Sequence, residues 1–394
     1  MSAVGAGGRL DPAALQVLIS RLTGIAAEMG AVLARAAFSP NIKERHDASA
    51  ALFTADGSLL VQAEHIPVHL GAMPASVAAV IERFGATAAP GDQFVVNDPF
   101  AGGTHLNDVT LVAPCFVGDE LVGWAANRAH HADLGGGAPG SMPAAATEVF
   151  QEGLRIPPVP WSAQVRDLIL ANSRTPDERR GDLDAQFGAN AVGVARLAEL
   201  VTGGVDVATL DEVIAYGERR MRAAVAAVPD GTATFTDTMD SVGAGDDQRD
   251  PAVIRCRVTV SGDTVRFDFT GSDPQRPGNV NAVEAVTVSA VAFAVRHVLG
   301  PDVPANAGSL APVEVVAPPG TIVAARPPVA VGAGNVEVSQ RVADVCLGAL
   351  AGLVPGRVGA ASQGTMNNVL VGGDGWVYYE TVGGGQGGRP GGPG

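Results

Sequence analysis

The sequence predicts an α+β fold, mixed helices and antiparallel hairpins with a helical insert, and three observations carry that expectation. Apolar residues recur at helical spacing near both ends of the chain; strand-like runs are joined by turns rich in Gly and Asp; and the stretch from about Ser162 to Val228 is helical throughout. With 394 residues, 46% hydrophobic and 17% charged, the chain can bury a substantial core. The expected division is a metal-site-bearing α+β lobe over residues 1–160, a helical lobe or insert over 161–230, and a second α+β lobe over 231–394 ending in a Gly-rich tail. No internal repeat is visible at a period of about 20 to 50 residues.

The elements follow in order. Asp11 and Pro12 combine a side-chain cap with a proline at the first turn, and Leu15, Leu18, Ile19, Leu22 and Ile25 continue a helix to about Ala37. Ala50–Phe53 and Ser58–Val61 flank Ala55-Asp56-Gly57, a hairpin signature. Pro74–Phe84 reads as a helix closed by Gly85, followed by strands at Gln93–Val96, Val109–Phe116 and Leu121–Ala126. Helices are expected over Val165–Leu170, Leu183–Leu200 and Leu210–Ala227, the last ended by Pro229-Asp230-Gly231. Strands return at Thr232–Thr238, Val253–Val260 and Thr264–Phe269, then helices at about Ala282–Leu299 and Val338–Leu353.

Composition excludes several function classes. Asp plus Glu outnumber Lys plus Arg by 41 to 26, a formal charge of −15, which argues against nucleic acid or an anionic membrane as partner. Lys43 is the sole lysine, so this sequence holds no Gly-Lys-Ser/Thr phosphate loop. Cys115, Cys256 and Cys346 are scattered and odd in number, unlike a disulfide framework or a Cys-x-x-Cys clip. The N-terminus lacks a secretory layout, and no apolar run reaches the roughly 18 residues of a membrane span, so a cytoplasmic protein with no membrane association is expected.

The strongest chemical signal is histidine clustering. His46, His65, His69, His105, His130 and His131 lie in one quarter of the chain, interleaved with Glu44, Asp47, Glu64, Asp98, Asp108 and Asp133, while His297 stands alone. Imidazole and carboxylate together are the donors that hold Zn, Fe or Mn. In Thr104-His105-Leu106-Asn107-Asp108 an imidazole and a carboxylate three apart follow Gly102-Gly103, whose missing side chains allow a tight turn toward a bound group. Arg128-Ala129-His130-His131-Ala132-Asp133 is expected at the end of the preceding strand, and adjacent histidines in an extended chain face opposite ways, so only one should ligate. Ser362-Gln363-Gly364-Thr365-Met366-Asn367-Asn368 suits substrate hydrogen bonding or an ordinary turn. There is no Gly-x-Ser-x-Gly elbow, and Gly140-Ser141-Met142-Pro143 reads as a turn.

These runs, with Ile42-Lys43-Glu44-Arg45-His46-Asp47, His65-Ile66-Pro67-Val68-His69-Leu70-Gly71, Asn97-Asp98-Pro99, Gln151-Glu152-Gly153, Gly334-Asn335-Val336-Glu337 and Tyr378-Tyr379-Glu380-Thr381, resemble the hydantoinase B/5-oxoprolinase family over nearly the whole chain. The resemblance implies a B-type subunit of an ATP-dependent cyclic amidohydrolase. A separate A-type subunit would bind ATP with Mg and phosphorylate the carbonyl of a 5-oxoproline, hydantoin or lactam, and this chain, with a divalent metal, would open the ring. A hetero-oligomer is therefore expected. Relatives of the family that carboxylate acetone-like ketones supply one alternative, and a catalytically silent partner-binding subunit another. Family members continue beyond the Gly-rich stretch at Gly383–Gly394, so the resemblance also implies a C-terminally truncated chain.

Carried over residue by residue, the resemblance implies Asp47, His105, Asp108 and His130 as metal ligands, with Glu44 the alternative to Asp47. It leaves Asp133 and His131 as candidates to orient ligands or act as general base. Glu64, His65, His69, Ser362, Gln363 and Asn367 are candidates to touch substrate or the ligands.

Overall fold

A computed structural model of the chain describes residues 10–64, 66–240, 251–385 and 387–388, with the Glu64 side chain excepted. The first half contains α1 (Pro12–Ala36), α2 (Pro40–Lys43), β1 (Ala48–Phe53), β2 (Leu59–Glu64), α3 (Ala72–Phe84), β3 (Phe94–Val96), β4 (Asp108–Val117), β5 (Glu120–His130) and β6 (Val159–Pro160). Three helices follow, α4 (Ala163–Asn172), α5 (Pro176–Thr202) and α6 (Val207–Ala226). The second half contains β7 (Gly231–Met239), β8 (Ala252–Ser261), β9 (Thr264–Asp268), α7 (Glu284–Val298), α8 (Ala307–Leu310), β10 (Val313–Val316), α9 (Ser339–Ala351), β11 (Asn368–Gly373) and β12 (Trp376–Thr381). A 3₁₀ turn at Pro67–His69 precedes α3, and a π-helical turn at Gly334–Val338 precedes α9.

The expected start of α1 is present: Asp11 Oδ2 accepts the N–H groups of Ala13 and Ala14 at 3.1 and 3.2 Å. Among the described residues α1 is the one helix long and apolar enough, by length and composition, to cross a membrane, although Arg21 and Glu28 interrupt its apolar run as the sequence leads one to expect. Its apolar stripe, including Leu22, Met29 and Leu33, is buried in the protein core. After α1 the chain turns where Asp182 Oδ1 accepts the N–H groups of Phe38 and Ser39 at 2.8 and 3.0 Å.

Six strands form an antiparallel sheet in the order β2-β1-β5-β4-β3-β6. α3 covers one face through Met73, Val77 and Val80 against Phe53, Val112 and Trp124. α1, α5 and α6 cover the other, so the helices expected as an insert supply part of the core beneath the first sheet. Burial on both faces explains why β1 and β4 read as nearly continuous apolar runs. A four-stranded sheet, β10-β9-β8-β7, packs with α7 and α9 around Phe267, Val291 and Cys346, its β9–β10 pair parallel. β11 and β12 form a separate hairpin.

β5 runs through Arg128 to His130 rather than stopping at Ala126. The polar residues stay in the ladder because buried partners satisfy them: Asn127 Nδ2 donates to Gln186 O and Asn190 Oδ1, both at 2.7 Å, and Arg128 Nε donates to Thr110 Oγ1 at 2.9 Å. The two halves meet closely at Gly71, whose N–H donates to Ser289 Oγ on α7 at 3.0 Å.

A Cβ at Gly71 would lie 2.7 Å from Val288 and 2.8 Å from the Ser289 nitrogen, whereas at Gly24, on the exposed side of α1, nothing lies within 4 Å. Gly71→Ala should therefore destabilise by about 1–3 kcal/mol through overpacking. Gly24→Ala should stabilise by about 0.4–1 kcal/mol by restricting the unfolded chain. Denaturation midpoints of the two variants check the opposite signs.

Candidate metal centre

The turn Thr104–Asn107 leads into β4 and is fixed from several sides. Gly102 adopts a φ of +87°, and a Cβ there would come within 2.4 Å of the Ala75 backbone. Asn97 Nδ2 donates to Leu106 O at 2.7 Å, and Asp108 N to His105 O at 3.1 Å. Asp108 then stands directly opposite His130 in the β4–β5 ladder, which brings a carboxylate and an imidazole together although 22 positions separate them in sequence. His130 is held on both sides, its N–H donating to Asp47 O at 3.0 Å and its carbonyl accepting from Asn41 Nδ2 at 2.8 Å.

His105 Nε2 lies 3.1 Å from Asp108 Oδ1 and 3.2 Å from His130 Nδ1, and His130 Nδ1 lies 3.3 Å from the same Oδ1. All three side chains are buried. His105 Nδ1 is 3.1 Å from the Gly332 carbonyl, which can only accept, so in the neutral ring Nδ1 carries the proton and Nε2 presents a lone pair. Asp108 Oδ2 accepts from Thr104 Oγ1 and lies 3.7 Å from His69 Nε2, while His69 Nδ1 is 2.9 Å from Ser49 Oγ. Burial disfavours charge on His105, yet the adjoining Asp108 carboxylate outweighs it and raises the ring above its ordinary value. Burial also works against ionised Asp108, but His105, followed by His130 and His69, holds it well below the usual carboxylate range.

These donors fit a metal ion. With bonds of about 2.1 Å, two donors sit about 3.0 Å apart at a right angle and about 3.4 Å apart at the tetrahedral angle. The three observed separations fall between those limits. Asp108 Oδ1, His69 Nε2 and His130 Nε2 are buried without a hydrogen-bond partner, the condition of groups arranged for something other than one another. Two imidazoles and a carboxylate are a donor set for Zn, Fe or Mn.

Asp47 is buried close enough for its charge to act on His105, although its carboxylate is not one of the three converging donors; Glu44 is exposed at the end of α2. His131 points away from the cluster, as alternation along an extended chain requires, and its Nε2 lies 2.8 Å from Gln186 Oε1. Burial, with the Arg179 charge adding to it, pushes this ring down to about 4. Asp133 is occupied in tying down its own loop, accepting from Gly135 N, Gly140 N, Arg174 N and Arg174 Nη1. Ser362, Gln363 and Asn367 are exposed, Ser362 Oγ donating to Asp344 and Gln363 Nε2 to Thr365 O. His65 and the Glu64 side chain lie outside the described residues. Ser141 Oγ accepts from Leu134 N and donates to Gly135 O, a turn role, and His297 stacks on Phe293.

Three further contributors stand in runs that carry the family resemblance, although the sequence assigns them no role at the site. Asn335, on the π-helical turn, places Nδ2 3.1 Å from His105 Nε2 and leaves Oδ1 buried and unpartnered. Thr104 holds Asp108 Oδ2, and Tyr379 on β12 packs its ring 4.7 Å from that of His130. Burial, reinforced by the Asp47 charge, raises the Tyr379 phenol.

The chain matches a family model described as hydantoinase B/oxoprolinase over residues 11–394. It is 39% identical to an uncharacterized protein of Methanocaldococcus jannaschii, covering 96% of this chain and 68% of that one. It is 37% identical to 5-oxoprolinase 1 of Arabidopsis thaliana, covering 96% of this chain but only 32% of that one. Among solved structures it is similar to the ATP-dependent caprolactamase from Pseudomonas jessenii, with 31% identity, a TM-score of 0.87, and coverage of 94% of this chain and 66% of that one.

His105→Ala should remove stoichiometric binding of Zn, Fe or Mn, measured by elemental analysis, whereas Glu44→Gln at the exposed helix end should leave it unchanged. A metal requires the neutral ring of His105, whose pKa is raised. Affinity should therefore fall as pH drops through that raised value and level off above it, with proton release on binding measured calorimetrically in buffers of different ionisation enthalpy.

Proposed function

Because the chain belongs to the hydantoinase B/oxoprolinase family, we propose that it is the metal-dependent, ring-opening B-type component of an ATP-dependent hydrolase of cyclic amides. The convergence of His105 Nε2, Asp108 Oδ1 and His130 Nδ1 carries this reading. The relatives' names supply the substrate class, since 5-oxoproline and caprolactam are both cyclic amides. ATP with Mg belongs in this proposal to an A-type partner, as the family implies, and the absence of a Gly-Lys-Ser/Thr phosphate loop from this sequence agrees with it. The proposed assembly is a cytoplasmic hetero-oligomer.

An amide carbonyl is a poor electrophile. Transfer of a phosphoryl group from ATP to its oxygen releases ADP and makes the carbon a far better electrophile. Attack by one water then forms a new C–O bond and the C–N bond breaks as the nitrogen takes a proton, leaving an acyl phosphate; a second water releases phosphate and the open amino acid. His105, Asp108 and His130, with Asp47 beside them, would hold a divalent ion. Such an ion supplies Lewis acidity toward a carbonyl or phosphoryl oxygen and acidifies water within its reach.

His69 is the residue proposed to move the proton. Ser49 fixes its Nδ1 side, and its unpartnered Nε2 faces Asp108 within the buried site, positioned to take a proton from water and return it to the leaving nitrogen. His131 and Asp133 are less suited, because Gln186 and Arg174 engage them away from the cluster.

The test is coexpression with an A-type subunit followed by assay of 5-oxoproline, hydantoin and caprolactam. The expected outcome is ATP-dependent ring opening without bicarbonate, abolished by His105→Ala. ATP-dependent fixation of bicarbonate onto a ketone would instead assign a carboxylase, and substrate binding with no turnover would assign a silent docking subunit. His69→Ala should lower kcat by about 10²–10⁴-fold while leaving metal content unchanged.

A further inference from the structure

We propose that Glu152 is a positioning residue for the metal-binding face of His105, acting through the backbone of Val331 and Gly332; the proposal rests on the metal-site reading above. Glu152 lies in the Gln151-Glu152-Gly153 run, about 180 residues from the N–H groups its carboxylate binds, and is 1% exposed. Its Oε1 accepts from Val331 N at 3.1 Å and from Gly332 N at 2.7 Å, and its Oε2 accepts from Val331 N at 3.0 Å. The carboxylate thus takes up both N–H groups of the segment whose next carbonyl, that of Gly332, lies 3.1 Å from His105 Nδ1.

The surrounding backbone shows that this clamp is built in. Val149 N donates to Pro328 O at 2.8 Å and Ala330 N to Thr147 O at 3.1 Å, so residues 147–149 and 328–330 run side by side up to the point where Glu152 takes over. A Cβ on Gly332 would come within 2.9 Å of Glu152 Oε1, so the residue at 332 must be small for the carboxylate to reach its nitrogen. Three positions later Asn335 enters the cluster, so the clamped segment delivers both the carbonyl that orients His105 and the amide beside its Nε2.

The chemical consequence concerns the tautomer. A ring whose Nδ1–H is captured by a fixed carbonyl keeps Nε2 free of hydrogen and aimed at Asp108 and His130. When the clamp is loosened the Gly332 carbonyl can turn away, the proton can occupy Nε2, and the ring ceases to be a ligand. Groups that fix a ligating imidazole in this way typically contribute a factor of about 10–100 in metal affinity.

The experiment uses the full chain reconstituted with Co²⁺, read by its ligand-field absorption and by competition titration of affinity. Glu152→Gln, which replaces one acceptor oxygen by a donor amide facing the same N–H groups, should lose roughly 10–100-fold in affinity and show altered bands. Asp182→Asn is the control, because Asp182 is an equally buried carboxylate that accepts two backbone N–H groups away from the cluster. It should lose thermal stability and keep the wild-type spectrum. An unchanged spectrum and affinity in Glu152→Gln, or equal changes in both variants, would overturn the proposal. Should Glu152→Gln not fold, Glu152→Asp, which keeps the charge on a side chain one methylene shorter, is expected to show the same altered bands, and a wild-type spectrum there would overturn it. Wild-type protein that binds no Co²⁺ would bring down the metal-site reading, and this proposal with it, whereas normal wild-type binding with an indifferent Glu152 variant would bring down this proposal alone.

Discussion

The pairing of Asp108 with His130 across the β4–β5 ladder is the constraint on which the site depends. Side chains alternate along a strand, so a slip of one residue would turn Asp108 and Thr110 away from the face shared by His130 and Arg128. The register is secured from outside as well as within. β1 pairs with the other edge of β5 in unbroken register from Ala48 to Phe53, and Asn41 and Asp47 fix the backbone of His130 where the ladder ends. Trp124, fully buried a few rungs away, anchors the same strand against the layer covered by α3.

One sheet cannot complete the site. The 3₁₀ turn at Pro67–His69 adds an imidazole along one side, and the second half of the chain adds the Gly332 carbonyl, Asn335 and Tyr379. The approach of Asn335 requires unusually close backbone packing. At Gly334 a Cβ would lie 1.9 Å from Asn281 O, so only glycine lets the π-helical turn descend far enough for Asn335 to reach His105. Short π-helical segments recur at functional sites because the extra residue redirects a side chain that an α-helix would point elsewhere.

Much of this was legible in sequence. The cap and spacing of α1, the turn between β1 and β2, and the long helical middle all rest on local chemistry, and local chemistry is what a sequence displays. His105 and Asp108 were legible for the same reason, being three residues apart behind two glycines. The end of β5 was not, because Asn127, Arg128 and His130 look like loop residues until the buried partners that satisfy them are known. Asn335 and Tyr379 were equally hidden as site residues, since only tertiary folding places them within reach of histidines more than 200 residues earlier. Burial separates Asp47 from Glu44, and two carboxylates in one short motif give no sign in sequence of which faces inward.

The electrostatics of the sheet face link the metal to the proposed chemistry. Arg128 lies two rungs from Asp108 on the same face of the sheet and is fully buried, and its guanidinium donates to Thr110 Oγ1, Ser76 Oγ and the Ala72 carbonyl rather than to a carboxylate. Burial pulls this arginine down to about 10, and the nearby Asp108 charge opposes that pull. Asp108 therefore offsets a buried cation on one side while presenting Oδ1 to two imidazoles on the other. A divalent ion held by that oxygen would leave the pocket with an excess of positive charge that one carboxylate, even with Asp47 beside it, cannot neutralise. Such a pocket favours the amide that carries a phosphoryl group over the neutral amide. A buried arginine behind the candidate ligands thus agrees with the proposed order, phosphorylation before ring opening.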